Sequence, residues 1–146
     1  MKETKYFEMN SLEDLRNFTK KFVARLQLPQ LLFLEGELGA GKTQFVRSLA
    51  DFALAKGPVA SPTFSLHHEY VTPEFSVHHF DFYRLKDEAE IESTGIYECL
   101  RRPNGLVVVE WPELMKLDAT PKGWNFCRLK TIVEGSKRII EQSYEP

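Results

Sequence analysis

Residues Gly36 to Thr43 read Gly-Glu-Leu-Gly-Ala-Gly-Lys-Thr, a complete G-x-x-x-x-G-K-[ST] pattern. The apolar run Leu31-Leu32-Phe33-Leu34 precedes it and an amphipathic stretch follows, so the pattern falls where a strand turns into a helix. Its four fixed positions would coincide by accident in roughly one chain in two hundred of this length. The spacing has a physical basis. Glycines let successive backbone N–H groups turn toward one anion, and the following helix contributes the positive end of its dipole. Lys42 then reaches the β- and γ-phosphates of a nucleotide, and the Thr43 hydroxyl ligates Mg²⁺. The alternative is an ordinary Gly-rich strand-to-helix turn.

The 146 residues suffice for one domain, read as a single unit over residues 1–146, and the 42% hydrophobic and 12% aromatic content can fill a core. A net charge of -2 argues against a protein whose main work is gripping a nucleic-acid backbone, so any link to RNA is expected to be indirect. Cys99 and Cys127 stand far apart without C-x-x-C spacing and read as reduced structural thiols. The N-terminal stretch Lys2-Glu3-Thr4-Lys5 has no apolar signal core, and no apolar run approaches bilayer length. A soluble, cytoplasmic protein without membrane contact is expected.

Ser11 followed by Asp14 resembles a capping box, and Leu12, Leu15, Phe18, Phe22 and Leu26 recur at helical spacing, which predicts a helix over 11–27. A second helix begins inside the Gly-rich loop, presents Phe45, Val46, Leu49, Phe52 and Ala53 inward, and ends near Lys56-Gly57-Pro58. Strands are predicted at 64–71, 76–83, 106–110, 124–133 and 137–142, with a short helix from about 87 to 93. The fold class is α/β: a three-layer P-loop NTPase-like arrangement with a mostly parallel central sheet and antiparallel C-terminal strands. Leu106-Val107-Val108-Val109 has the two-sided apolarity of a central strand, and the gap at Glu134-Gly135 is hairpin-sized.

Hydrolysis of a bound nucleotide needs Mg²⁺ held from a second side and a water aligned on the γ-phosphate. Glu110 ends the most apolar strand and should emerge at the carboxyl edge of the sheet, where it can hold a Mg²⁺-bound water or polarise the attacking one. Asp81 is either the magnesium-side carboxylate or the ion-pair partner of Arg84. Thr63 follows the first helix after the loop, where a switch threonine would sense Mg²⁺ and the γ-phosphate; a plain Ser-Pro-Thr turn is the other reading. Trp111 is either a half-buried core aromatic or a site-edge residue. His67-His68 and His78-His79 alternate faces in a strand, so neither pair can easily chelate one metal, and all four are read as structural. An N/T-K-x-D guanine motif and a D-x-x-G switch are absent, which favours ATP over GTP.

Taken together, Gly36 to Thr43, Ser61-Pro62-Thr63-Phe64, His79-Phe80-Asp81-Phe82-Tyr83-Arg84-Leu85 and Val109-Glu110-Trp111-Pro112-Glu113 resemble the TsaE (YjeE) family of small P-loop ATPases, in order and in spacing. The likeness runs from about residue 10 to 142. It implies an ATPase required for N6-threonylcarbamoyladenosine at position 37 of tRNA, acting with TsaD and TsaB, where TsaD transfers the threonylcarbamoyl group. It also implies ATP contacts at Gly36, Glu37, Leu38, Gly39, Ala40, Gly41, Lys42, Thr43, Gln44 and Trp111. Magnesium would be held by Thr43, Asp81 and Glu110. Catalytic roles fall to Lys42, Thr63, Asp81 and Glu110. Gln44 departs from the second threonine of many members, and Gly135-Ser136-Lys137-Arg138 is placed only near the adenine, without an assigned base contact. Two other readings remain: a small-molecule kinase with Asp81 as base, and a nucleotide-gated docking protein whose hydrolysis is incidental.

Overall fold

The structure, a computed structural model, describes residues 3–37, 41–56, 67–117 and 119–145. Seven strands form one sheet: β1 (Glu3–Met9), β2 (Gln30–Gly36), β3 (His67–Val71), β4 (Ser76–Asp81), β5 (Leu106–Glu110), β6 (Asn125–Glu134) and β7 (Lys137–Glu145). Their spatial order is β1-β7-β6-β2-β5-β4-β3. The four inner strands β6, β2, β5 and β4 are mutually parallel, while β3, β7 and β1 add in antiparallel fashion at the two edges. This is the α/β class anticipated from the sequence, with the hairpin at Glu134-Gly135 in place. Antiparallel additions also occur at β1 and β3, beyond the C-terminal pair.

Two apolar cores explain the layering. On one face, Leu32 and Leu34 of β2 and Leu106 and Val108 of β5 pack with Phe18 and Phe22 of helix α1 (Leu12–Ala24) and with Phe45, Val46 and Leu49 of helix α2 (Lys42–Phe52). On the other face, Leu31, Phe33, Val107 and Val109 pack with Ile91 of α3 (Glu88–Ser93) and with Ile96 and Leu100 of α4 (Ile96–Arg101). Side chains alternate across a strand, so an unbroken apolar run supplies both cores at once.

Helix α1 starts as its capping signal requires: Ser11 Oγ accepts from the Asp14 amide at 3.1 Å, and Asp14 Oδ2 accepts from the Asn10 amide at 2.9 Å. It ends at Ala24, three residues short of the sequence expectation. Helix α2 stops at Phe52 instead of continuing toward Lys56, because Leu54 adopts a left-handed backbone (φ 61°) and the amides of Leu54 and Ala55 fold back onto Asp51 and Ala50 carbonyls. Strand β4 closes at Asp81, two residues before the expected limit.

Candidate functional site

The parallel strands β2, β5 and β4 end side by side, and the chemistry-bearing residues gather at those carboxyl ends. Register sets the grouping: Glu110 pairs with Leu34 on one side and with Asp81 on the other. Val77, His79 and Asp81 alternate onto the same face as Leu106, Val108 and Glu110, the face covered by α2. Two carboxylates are thereby presented together beside the start of α2.

At the end of β2, Gly36 takes φ 141°, and a Cβ there would lie 3.0 Å from the Thr131 carbonyl oxygen on β6. Glycine is required by both conformation and space. Gly41 precedes α2 in a left-handed conformation (φ 104°), and among the described residues no side chain caps the helix. The first-turn amides are therefore not engaged by a capping side chain, which suits an anion.

Lys42 is 7% exposed. Its ammonium donates to the Gly36 carbonyl at 2.7 Å and lies 3.6 Å from the centroid of the Trp111 ring. Burial lowers the Lys42 pKa from the ordinary lysine value, and the charges of Glu110, Glu113 and Asp81 oppose that shift. Trp111 has a left-handed backbone (φ 56°, ψ 57°) uncommon for a residue with a side chain, at the start of the 3-10 turn Pro112–Leu114. Its ring also meets Tyr83, with centroids 5.0 Å apart. Trp111 packs on the second core and overhangs the Lys42 ammonium.

Burial raises the Asp81 pKa, as does the nearby Glu110 carboxylate; the Tyr83 amide, donating to Oδ1 at 3.0 Å, pulls the other way, as do His79 and Lys42. The folded chain consequently holds this proton to higher pH than the unfolded chain, and stability falls as pH rises through that window. Asp81→Asn, whose amide oxygen can still accept from Tyr83, is expected to raise the melting temperature of the ligand-free chain at neutral pH. The advantage should shrink toward about pH 3, below the ordinary aspartate value, where the carboxyl is mostly protonated in both states. Thermal unfolding at the two pH values checks this; an equal or lower melting temperature for the variant at neutral pH would contradict the assignment.

His79 makes a contact that strand alternation alone does not reveal. Its Nε2 lies 2.7 Å from Glu110 Oε2, with the two residues 1% and 4% exposed. His79 Nδ1 is buried and has no hydrogen-bond partner among the described residues. The face alternation that argued against chelation holds: His67 Nε2 meets His78 Nδ1 across the β3–β4 pair at 2.9 Å, not its own neighbour. Among the described residues, no group of three or more His, Cys, Asp or Glu side chains could hold a metal by itself. Paired carboxylates beside a phosphate-type loop and the Thr43 position fit Mg²⁺, which commonly takes one or two carboxylates and completes its shell with phosphates and water.

Next to Gly41 and Lys42 lies a cavity of about 290 Å³, with Leu15, Phe45 and Ile140 among its apolar walls and Asn10, Thr131 and Arg138 among its polar ones. Gln44 lines this cavity as well. Ser136 and Arg138 stand at its border, where the sequence had suggested only proximity to a base. Met9 and Asn10 also contribute, from a strand end that sequence pattern alone did not register. Glu37 is exposed at the end of the described β2 segment, whereas Leu38, Gly39, Ala40 and Thr63 lie outside the described residues.

Fold and site together define a P-loop α/β protein, a fold that implies nucleotide binding. The solved crystal structure of Bacillus subtilis YdiB superposes with a TM-score of 0.76 and 24% identity, covering 100% of this chain and 88% of that one. The family model described as "Threonylcarbamoyl adenosine biosynthesis protein TsaE" matches residues 9–139. A Rickettsia prowazekii protein named tRNA threonylcarbamoyladenosine biosynthesis protein TsaE is 39% identical over 114 residues, 77% of this chain and 78% of the relative. The protein of the same name from Borreliella burgdorferi is 33% identical over 134 residues, 92% and 96% of the two chains. The chain belongs to the TsaE family of tRNA threonylcarbamoyladenosine biosynthesis proteins.

Proposed function

We propose that this chain, as one domain over residues 1–146, binds and hydrolyses ATP with Mg²⁺ to sustain tRNA threonylcarbamoylation, acting with TsaD and TsaB in the cytoplasm. The observation that carries the reading is the register pairing of Asp81 with Glu110 beside the buried Lys42. Family membership supplies the pathway. The net charge of -2 supports contact with RNA through partners rather than directly. Among the described residues no helix is long and apolar enough to cross a membrane.

In this reading the amides at the start of α2 and the Lys42 ammonium hold the phosphates, and the adenosine occupies the adjoining cavity near Gln44, Ser136 and Arg138. Trp111 borders the ATP site through its contact with Lys42. Thr43 and Asp81 would hold Mg²⁺, with Glu110 within reach of the same ion. When bound, the metal neutralises charge on the transferring phosphoryl group. Glu110 orients the attacking water, Lys42 balances charge that develops toward the leaving group, and Thr63 serves as switch threonine.

Hydrolysis should be slow for the chain alone and rise when TsaD, TsaB and tRNA are added. Phosphate release measured with and without those partners, with Lys42→Ala as control, tests the proposal. A rate indifferent to the partners would redirect attention to a kinase with Asp81 as base. Modification supported by a hydrolysis-dead variant would favour a docking role.

A further inference from the structure

We infer that His79 is a positioning residue for Glu110, holding its carboxylate in the orientation that hydrolysis requires; this rests on the proposed role of Glu110 as water-orienting group. The contact is short and enclosed: His79 Nε2 to Glu110 Oε2 at 2.7 Å, between residues 1% and 4% exposed. An ionised carboxylate can only accept, so the proton lies on Nε2 and the ring donates. With Oε2 committed to that bond, Oε1 has no hydrogen-bond partner among the described residues and is the oxygen left to engage water.

The placement of His79 is fixed on three sides. Its backbone pairs with His68 in β3 and with Val108 in β5. The ring lies 6.4 Å, centroid to centroid, from that of the buried Tyr70. Its other nitrogen, Nδ1, finds no partner among the described residues. A histidine kept only for packing would gain nothing from that buried polar atom, since an apolar side chain of similar size would fill the space without leaving it unpaired. The single bond that the ring does make is directed at Glu110. Residues two apart on β4 therefore divide their work: Asp81 at the strand end faces the site itself, and His79 behind it acts through the carboxylate on β5.

The test uses the full chain with its partners and compares His79→Gln with His79→Asn. A glutamine amide can reach Glu110 about as far as Nε2 does, whereas an asparagine amide stops short, and both bury a similar polar group. His79→Asn should lower kcat for ATP hydrolysis by about ten- to a hundredfold while KM for ATP stays within about twofold. His79→Gln should recover most of that loss. In a Glu110→Gln background, His79→Asn should add little further loss, because the group it positions is already disabled. Equal effects of Asn and Gln, or a loss of ATP affinity in step with turnover, would overturn the inference. Should His79→Asn retain full turnover while Glu110→Gln abolishes it, the positioning role fails and the role of Glu110 survives. If Glu110→Gln itself leaves turnover intact, the underlying reading fails.

Discussion

Replacing Lys42 with alanine is expected to abolish ATP binding, lowering affinity by at least about a hundredfold. A buried ammonium makes charge-assisted hydrogen bonds worth about 1.5–3 kcal/mol each, and two such bonds to phosphate oxygens account for that loss. The side chain is already confined by the Gly36 carbonyl at 2.7 Å and the Trp111 ring at 3.6 Å, so little rotamer freedom remains to be lost when a phosphate arrives. Removing it also deletes a cation whose charge interacts with Glu110, Glu113 and Asp81, turning the local potential against an anion. Titration with a fluorescent ATP analogue measures the effect. Lys42→Met, which keeps most of the buried stem, separates loss of charge from loss of packing. Affinity within about threefold of the parent in both variants would contradict the assignment.

Glu110→Ala is expected to do the opposite: ATP binding persists within about threefold, and hydrolysis falls by about a hundred- to a thousandfold. Glu110 stands at the end of β5, across the strand pair from Asp81, whereas Lys42 opens α2 after β2, and in the proposed function the phosphate contacts come from that second side. Its loss therefore spares the anion site and removes the group aimed at water. Alanine also strips the acceptor from the buried His79 Nε2, so Glu110→Gln, whose side-chain oxygen can still accept, is the companion variant that controls for folding. Single-turnover hydrolysis paired with a binding titration distinguishes the outcomes. Parallel loss of binding and hydrolysis in both variants would show that Glu110 belongs to the binding apparatus.

Much of the site was legible because its residues carry local signatures. Gly36 to Thr43 announce a phosphate loop through spacing alone, and Glu110 is marked by the four apolar residues before it. Asp81 was visible as a carboxylate but not as a partner, since its meeting with Glu110 depends on β4 pairing with β5 across 29 residues of chain. The contact between His79 and Glu110 is hidden for the same reason. Alternation puts His79 on the face of Asp81 and His78 on the other, but only the strand register brings Glu110 to the first and His67 to the second. Strand β1 escaped notice because it sits at the sheet edge, where Lys5 and Glu8 are exposed and the strand is recognised chiefly through its backbone pairing with β7. Helix α4, six residues long, is too short to show a period.

Local sequence carries the class of fold, the phosphate-loop pattern and the two candidate carboxylates, because strand alternation, helix capping and glycine conformation are properties of neighbouring residues. The tertiary structure decided which of those residues meet. It set Asp81 beside Glu110, gave Glu110 a buried histidine donor, laid Trp111 over Lys42, and closed a cavity from Asn10, Gln44 and Arg138. Each of those contacts joins segments far apart in the chain, and their geometry follows from the order and register of strands, which no local stretch of sequence encodes.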